Sequence, residues 1–542
     1  MGVGVAKQNS GHVSETGELD VVVVGAGIAG IYAIHRFREQ GLSVLGIEGA
    51  PDVGGVWYHN AYPGARVDVE SVNYCYFFDE KLYRDWTWTE RFAAQPEILS
   101  YLNHVADVYN VRPDITFNTW VTEALWDTVA GRYRITTDTG DVRWARFLVT
   151  ATGQLSKTRP PNFPGLADFG GEVYETSRWP HHEVSYEGKR VGIIGTGSSG
   201  VQATTVVSRR AAQTVVFQRT PQYAIPANNR PAETYRSNRL KGKFGAVKDE
   251  LYGSGAGILL PPVAGKAGDF TVEEQQMLLE QRWSYGGQSF LGLFADTGVD
   301  MDTNTMVADF VRTKIRDIVT DQEVADKLVP THPIGVTRPC FDTGYYQSFN
   351  QDNVTLVDVR EDPIARVTGA GIATRGTVHE LDMIILALGF NSFTGALDGV
   401  NIRNEEGRTP SDNWTRGPRT YLGLMTTGFP NHFNITGPGS PTVLSNFFVA
   451  NVFQIDFLGD LFAHMDERGY RRVEPTSEAQ DEWTRHSAEI AEPLIRRVVD
   501  NYMTHKNDDG SRVFIPYAGG LNRYIDKCNQ VAAQEYTGLA FK

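Results

Sequence analysis

An α/β fold with two Rossmann-like dinucleotide-binding domains is predicted by a feature that occurs twice. The chain carries two Gly-x-Gly-x-x-Gly fingerprints, Gly25-Ala26-Gly27-Ile28-Ala29-Gly30 and Gly195-Thr196-Gly197-Ser198-Ser199-Gly200. Each follows a continuous apolar run and opens a helix-like segment, the order in which a strand, a phosphate loop and a helix hold a dinucleotide. Two such units in one chain point to electron transfer between two dinucleotides, and so to a flavoprotein reduced by a nicotinamide cofactor.

The first unit starts at Leu19-Asp20-Val21-Val22-Val23-Val24, whose β-branched residues suit a strand covered on both faces. The glycines then permit a tight turn and close approach of backbone to a pyrophosphate, and a helix is expected from about Ala29 to Gln40. A second strand, Ser43 to Ile47, ends at Glu48. A carboxylate there accepts the hydroxyls of an adenosine ribose and repels a 2′-phosphate, which suits FAD or NAD.

The second unit ends differently. Lys189 to Ile194 leads into the glycine loop, a helix is expected to about Gln213, and Thr214 to Gln218 forms the next strand, which ends at Arg219. A guanidinium at that place pairs with a 2′-phosphate, so the second nucleotide reads as NADP.

The remaining elements follow in order. Trp120 to Thr122 and Thr136 to Phe147 read as antiparallel strands of the first domain. Ala145 to Gly153 and Leu381 to Phe390 each contain a buried strand and a closing glycine, as crossovers between domains would. Residues 221–332 turn to helical patterning, at Thr271 to Trp283 and Asn304 to Val319 for example, which suggests a helical insertion. The expected division is a first part of an FAD-binding domain over 1–152, an NADP-binding domain over 153–385 that holds the insertion, and the second part of the FAD-binding domain over 386–542. Residues 1–18 read as a mobile polar tail without the apolar core of a signal peptide.

Composition bounds the function. A net charge of −14 argues against nucleic acid or an anionic membrane as partner, and no stretch approaches a membrane span. The 3 cysteines, Cys75, Cys340 and Cys528, lie far apart, which suits a reducing cytoplasm and excludes a disulfide framework. No cysteine pair is present to relay electrons as in flavin disulfide reductases, and no metal-ligand spacing occurs. Oligomeric state is left open.

Gly54-Gly55-Val56-Trp57-Tyr58-His59-Asn60-Ala61-Tyr62-Pro63-Gly64-Ala65-Arg66-Val67-Asp68 resembles the long fingerprint of the type I Baeyer-Villiger monooxygenases at every defined position. The similarity extends to Trp86 to Glu90, Arg338-Pro339, Asp342 to Tyr346 and Gly417 to Leu424, and is strongest to the phenylacetone and steroid members. The resemblance implies a flavin monooxygenase in which NADPH reduces FAD, O2 gives a C4a-peroxyflavin, and attack on a ketone yields an ester or lactone. It places the active-site arginine at Arg338 and the aspartate that holds it at Asp68. A fixed guanidinium there stabilises the oxyanions of the reaction. The implied FAD contacts are Gly25 to Gly30, Glu48, Gly55, Val56, Trp57, Asp68, Tyr74 and Val121. The implied nicotinamide contacts are Arg66, Gly195 to Gly200, Arg219 and Thr220, with Thr337 and Arg338 beside them.

The chain departs from the family's pattern on the nicotinamide side. In Phe169 to Pro180, Glu175 replaces a histidine; Thr337 replaces a lysine, a loss of about 1–2 kcal/mol beside a 2′-phosphate; and Leu388 stands for a threonine. The mobile segment over the nicotinamide reads Asp500 to Ser511 and lacks the family's tryptophan and Pro-Gly. Two alternatives therefore stay open beside ketone oxygenation: a sulfur- or nitrogen-oxygenating flavin monooxygenase, and a flavoprotein with impaired nicotinamide use that acts as an uncoupled oxidase or binding partner.

Overall fold

The computed structural model describes residues 18–542. The expected tail, apart from Glu18, lies outside the described residues. Glu18 opens β1 (Glu18–Val24), which is followed by β2 (Val44–Ile47), β3 (Ile115–Thr116), β4 (Val121–Asp127), β5 (Arg132–Thr137) and β6 (Val142–Thr150). In the first sheet, β3, β2, β1 and β6 run parallel, so the β1 side chains Val21 to Val23 are fully covered, as their unbroken apolar run requires. β4, β5 and the start of β6 form an antiparallel meander. The stretch expected as one strand from Thr136 to Phe147 is interrupted by a turn at Asp138 to Asp141, where Gly140 takes a positive φ of 86°.

The second sheet is a five-stranded parallel array. It is built from β7 (Glu172–Glu175), β8 (Arg190–Ile194) and β9 (Gln213–Gln218), with β10 (Ala224–Pro226) and β11 (Cys340–Asp342) forming a separate pair, and continues with β12 (Val354–Asp358). A meander of β13 (Ile364–Thr368), β14 (Gly371–Thr374) and β15 (Val378–Glu380) precedes β16 (Met383–Leu386), and the sheet order is β12-β9-β8-β16-β7. The helix after the second glycine loop spans Ser198–Val207 and stops short of Gln213. Its end is set by Ser208 to Ala212, where backbone bonds to Thr204 and Val207 close a turn before β9.

Residues 221–332 contain β10 and helices at Thr234–Lys241, Phe244–Gly253, Val272–Tyr285, Met301–Ile318 and Gln322–Leu328. Beyond β16, β17 (Ile402–Arg403) joins β4 and β18 (His432–Asn434) joins β6, so this part of the chain lies in the first sheet. The Phe447–Arg468 helix packs on the Ile28–Glu39 helix, and Phe462 stacks on Phe147 of β6 at 4.0 Å.

One buried charge cluster ties these regions together. Glu70 accepts from Arg91 at 2.8 Å, pairs with Arg236 at 2.6 Å and accepts from the Tyr285 hydroxyl at 3.0 Å. Burial alone would raise the Glu70 carboxyl, but Arg236 and Arg91 outweigh it and hold it below its ordinary range. The stabilisation is therefore full above the ordinary carboxylate range and is lost as pH falls through the lowered value. Glu70→Gln is expected to cost about 3 kcal/mol at pH 7, the low end for breaking a buried pair, because Arg236 keeps some access to water. Urea unfolding at pH 7 and at pH 4 checks it: the gap between wild type and variant narrows at the lower pH.

Candidate functional site

Both glycine loops end in helices whose first turns have neither a side-chain cap nor an acidic residue, with Gly27 and Gly197 at the cap positions. The helices at Val272–Tyr285, Met301–Ile318, Phe447–Arg468 and Ser477–Ala491 are capped by Thr271, Asp300, Asn446 and Thr476, whereas those at Gln95–Val108 and Leu521–Ala533 also lack a side-chain cap but follow no Gly-x-Gly-x-x-Gly loop. The amides of the two first turns behind the glycine loops are left for an outside acceptor, and the helix dipole favours an anionic one. A pyrophosphate fits both places.

The glycines serve distinct purposes. A Cβ on Gly30 would sit 1.8 Å from the Gly25 carbonyl oxygen, and one on Gly200 would sit 1.9 Å from that of Gly195, so both seal helix against strand. A Cβ on Gly197 meets no heavy atom within 4 Å, so that glycine keeps the approach to the amides open. Gly27 instead faces Gly55, whose φ of 56° brings the two backbones together.

Glu48 stands at the end of β2, where the sequence places it, and its carboxylate accepts from the Ala26 amide at 2.6 Å and the Ala50 amide at 2.8 Å. Burial pushes this carboxyl up, and the backbone amides only partly offset the effect. Each oxygen retains a second lone pair for a ribose hydroxyl.

From Gly55 the chain enters a one-turn helix at Val56–His59. The Trp57 indole donates to the Tyr74 hydroxyl at 3.0 Å, and Tyr74 packs edge-on against Phe448. Val121 opens β4 within the core formed with Val24 and Ile47.

Asp68 and Arg338, 270 residues apart, meet in a two-point ion pair: Nη2 of Arg338 donates to Oδ1 at 2.8 Å and Nε donates to Oδ2. Nη1 donates to the Val443 carbonyl at 2.9 Å. Burial works against the guanidinium, but the Asp68 carboxylate outweighs it and raises the arginine above its ordinary range. The cation is permanent and its plane is fixed.

The second nucleotide site is less occupied by protein. Arg219 follows β9 and is exposed, with no ion pair among the described residues. Thr196 donates to the Thr220 carbonyl at 3.0 Å, and Thr337 donates to Gln222 at 2.8 Å. Arg66 is held by Glu90 at 2.8 Å and by the Phe92 carbonyl at 2.9 Å. Glu175 closes β7 half-buried. The altered segment forms a hairpin from Thr504–Lys506 and Arg512–Phe514, and Tyr502 ahead of it stacks near Phe393. Burial pushes the Tyr502 phenol up, while Arg338 and Arg496 beside it pull it partly back.

Several contributors lie outside the fingerprints. Gln202 accepts from the Tyr62 hydroxyl at 2.8 Å and donates to the Arg66 carbonyl at 3.2 Å, which joins the fingerprint loop to the Ser198–Val207 helix. Gly64 lies so close to that helix that a Cβ would sit 2.6 Å from the Gln202 carbonyl oxygen. Val443 reaches Arg338 through its carbonyl, and the Tyr502 phenol feels the Arg338 charge; no residue-type signal exists for either. Among the described residues no cluster could hold a metal ion, and no helix is long and apolar enough to cross a membrane.

Residues 18–234 match the Flavin-binding monooxygenase-like family. The chain is 38% identical over 530 residues to acetone monooxygenase (methyl acetate-forming) of Gordonia sp. (strain TY-5), covering 97% of this chain and 99% of the relative. This protein belongs to the flavin-binding monooxygenase-like family. Among solved structures, oxidized steroid monooxygenase bound to NADP matches with a TM-score of 0.93 and 45% identity, over 97% of this chain and 99% of that one. The OTEMO complex with FAD and NADP matches with a TM-score of 0.93 and 36% identity over the same shares.

The two glycine roles separate in mutants. Gly197→Ala is expected to keep the wild-type unfolding temperature yet weaken NADP+ binding at least tenfold by calorimetry, whereas Gly200→Ala lowers the unfolding temperature as well.

Proposed function

We propose that this chain is an FAD- and NADPH-dependent Baeyer-Villiger monooxygenase that inserts one oxygen atom of O2 beside a ketone carbonyl to give an ester or lactone. The observation that carries the reading is the Arg338–Asp68 pair, which joins the fingerprint loop after the first nucleotide unit to the segment after the second. The two uncapped glycine loops fit two dinucleotides, and relatives whose names describe ketone oxygenation align along almost the whole chain.

FAD is assigned to Gly25 to Gly30, Glu48, Gly55 to Trp57, Asp68, Tyr74 and Val121, and NADP to Gly195 to Gly200, Arg66, Arg219, Thr220, Thr337 and Arg338. Sheet membership supports a flavin domain drawn from 1–152, in its described part, and 386–542, with 153–385 as the nicotinamide domain and the helices of 221–332 inserted in it, except that Leu386 closes β16 in the second sheet. The three cysteines are free and buried, which supports a reducing compartment, the cytoplasm.

Bound on Gly25 to Gly30 and Glu48, FAD would supply hydride acceptance from NADPH and the activation of O2. The protein's own part is electrostatic. Arg338, charged at every working pH, balances the negative charge that grows on the ketone oxygen as the carbonyl carbon becomes tetrahedral. Asp68 prevents the guanidinium from rotating away, and the Val443 carbonyl fixes its third nitrogen. Trp57, Tyr74 and Phe448 form an aromatic wall that limits water near this charge. Oxidation of sulfur or nitrogen builds no such anion on the substrate, so the pair favours ketones.

Matched consumption of NADPH and O2 with ester formation from a ketone tests the reading. NADPH oxidation that yields only hydrogen peroxide with every ketone tried would overturn it. Arg219→Ala removes a charge-assisted contact of about 1.5–3 kcal/mol, so the KM for NADPH should rise roughly 10- to 100-fold while that for NADH changes little.

A further inference from the structure

Among the described residues, Arg496 has no partner for its charge. It lies in a short turn at Ile495–Arg497, just ahead of the hairpin segment. Hydrogen bonds to distant and local groups hold the backbone there. The Ile495 amide donates to the Gly298 carbonyl at 3.0 Å, and the Asn501 side chain donates at 2.8 Å to each of the Arg496 and Val499 carbonyls. The side chain is another matter. Among the described residues its guanidinium donates no hydrogen bond and has no carboxylate within ion-pairing distance. Of the two acids four residues away along the chain, Asp500 ahead of the hairpin is taken by Arg512 at 2.7 Å, and Glu492 makes no ion pair with Arg496.

Its surroundings make this unusual. Arg496 Nη2 comes within 4.0 Å of the Cβ position of Gly335, three residues before Arg338. Tyr502 lies between the two arginines and feels both charges. Around them Phe393, Val443, Leu444, Leu494 and Met503 form an apolar cluster. Burial lowers the Arg496 guanidinium, and only the Tyr502 phenol works the other way. Arg338 is neutralised by Asp68 through two bonds, so the group Arg338, Asp68 and Arg496 carries one net positive charge. Arg496 is half-buried beside this apolar cluster; a cation partly withdrawn from water without a counter-ion is costly, and an oxyanion presented by a ligand removes that cost.

We propose that Arg496 binds an oxyanion carried by the substrate, and that the preferred substrates are ketones bearing a carboxylate. The ketone oxygen faces Arg338 while the carboxylate pairs with Arg496, and the apolar cluster covers the carbon chain between them. This rests on the Baeyer-Villiger reading for the role of the ketone; the anion site itself is independent of it. The same chemistry could be supplied by a phosphate of the nicotinamide cofactor, and the experiment separates the two sources.

The FAD-loaded protein saturated with NADP+ is titrated by calorimetry with linear oxo acids from 4-oxopentanoate to 7-oxooctanoate. Neutral methyl ketones of matching length, such as 5-methylhexan-2-one for 4-oxopentanoate, serve as references. At least one oxo acid should bind tenfold or more tightly than its neutral counterpart. That preference should fall below twofold in Arg496→Gln and Arg496→Met and survive in part in Arg496→Lys. Without ligand, Arg496→Met should unfold at the wild-type temperature or higher, since it removes an uncompensated charge, and the oxo acid should raise the unfolding temperature of wild type only. The proposal is overturned if no oxo acid is preferred by wild type, if the preference survives in Arg496→Gln, or if that variant loses NADP+ affinity in place of oxo-acid affinity, which would assign Arg496 to the cofactor phosphate. Tight, Arg496-dependent oxo-acid binding without ester formation from any ketone would instead overturn the oxygenase reading and leave the anion site standing.

Discussion

The ion pair between Asp68 and Arg338 is the constraint on which the rest of the architecture converges. A guanidinium becomes useful at a developing oxyanion only when its plane is fixed before the reaction, because reorganisation at that moment would cancel the gain. Two parallel bonds from Asp68 and one from the Val443 carbonyl supply that fixity. Asp68 belongs to the loop that leaves the first nucleotide unit, and Arg338 to the segment that leads into β11, so the pair forms only when both regions are correctly placed.

Other contacts hold the same junction. Gln202 bonds Tyr62 and the Arg66 carbonyl, and the absence of a side chain at Gly64 lets the fingerprint loop lie against the Ser198–Val207 helix. Deeper in, Glu70 gathers Arg91, Arg236 and Tyr285 from three parts of the chain. Against apolar replacements these buried polar links add little net stability, but removing one partner is costly and each demands one geometry. They confine the fingerprint loop to the position that Asp68 needs.

Much of this is legible in the sequence itself. The apolar runs marked β1, β8, β9 and β16, and the glycine spacing marked both phosphate loops, because burial on two faces and close backbone packing leave direct traces in residue type. The boundaries were less legible. The turn that splits Thr136 to Phe147 and the early end of the helix at Val207 depend on local backbone bonding that neighbouring polar residues permit but do not demand. In the site, Asp68 and Trp57 lie within the fingerprint, while Arg338 and Tyr74 are implied only by the family resemblance. Val443 contributes through its backbone, Gln202 through a contact between distant segments, and Arg496 through the absence of a partner; none of these has a signature in sequence. The altered Asp500 to Ser511 segment shows the same limit: without the family's tryptophan it still leaves the Tyr502 phenol within electrostatic reach of Arg338.

A double-mutant cycle on ketone oxygenation, with Arg338→Met, Asp68→Asn and both together, tests the central claim most directly. If Asp68 acts by holding Arg338, the arginine substitution lowers kcat/KM by about 10²–10³-fold, the size expected for a lost oxyanion donor, and Asp68→Asn adds almost nothing once Arg338 is gone. If the two losses multiply in the double variant, Asp68 acts separately from Arg338, and the account of one preorganised pair is wrong.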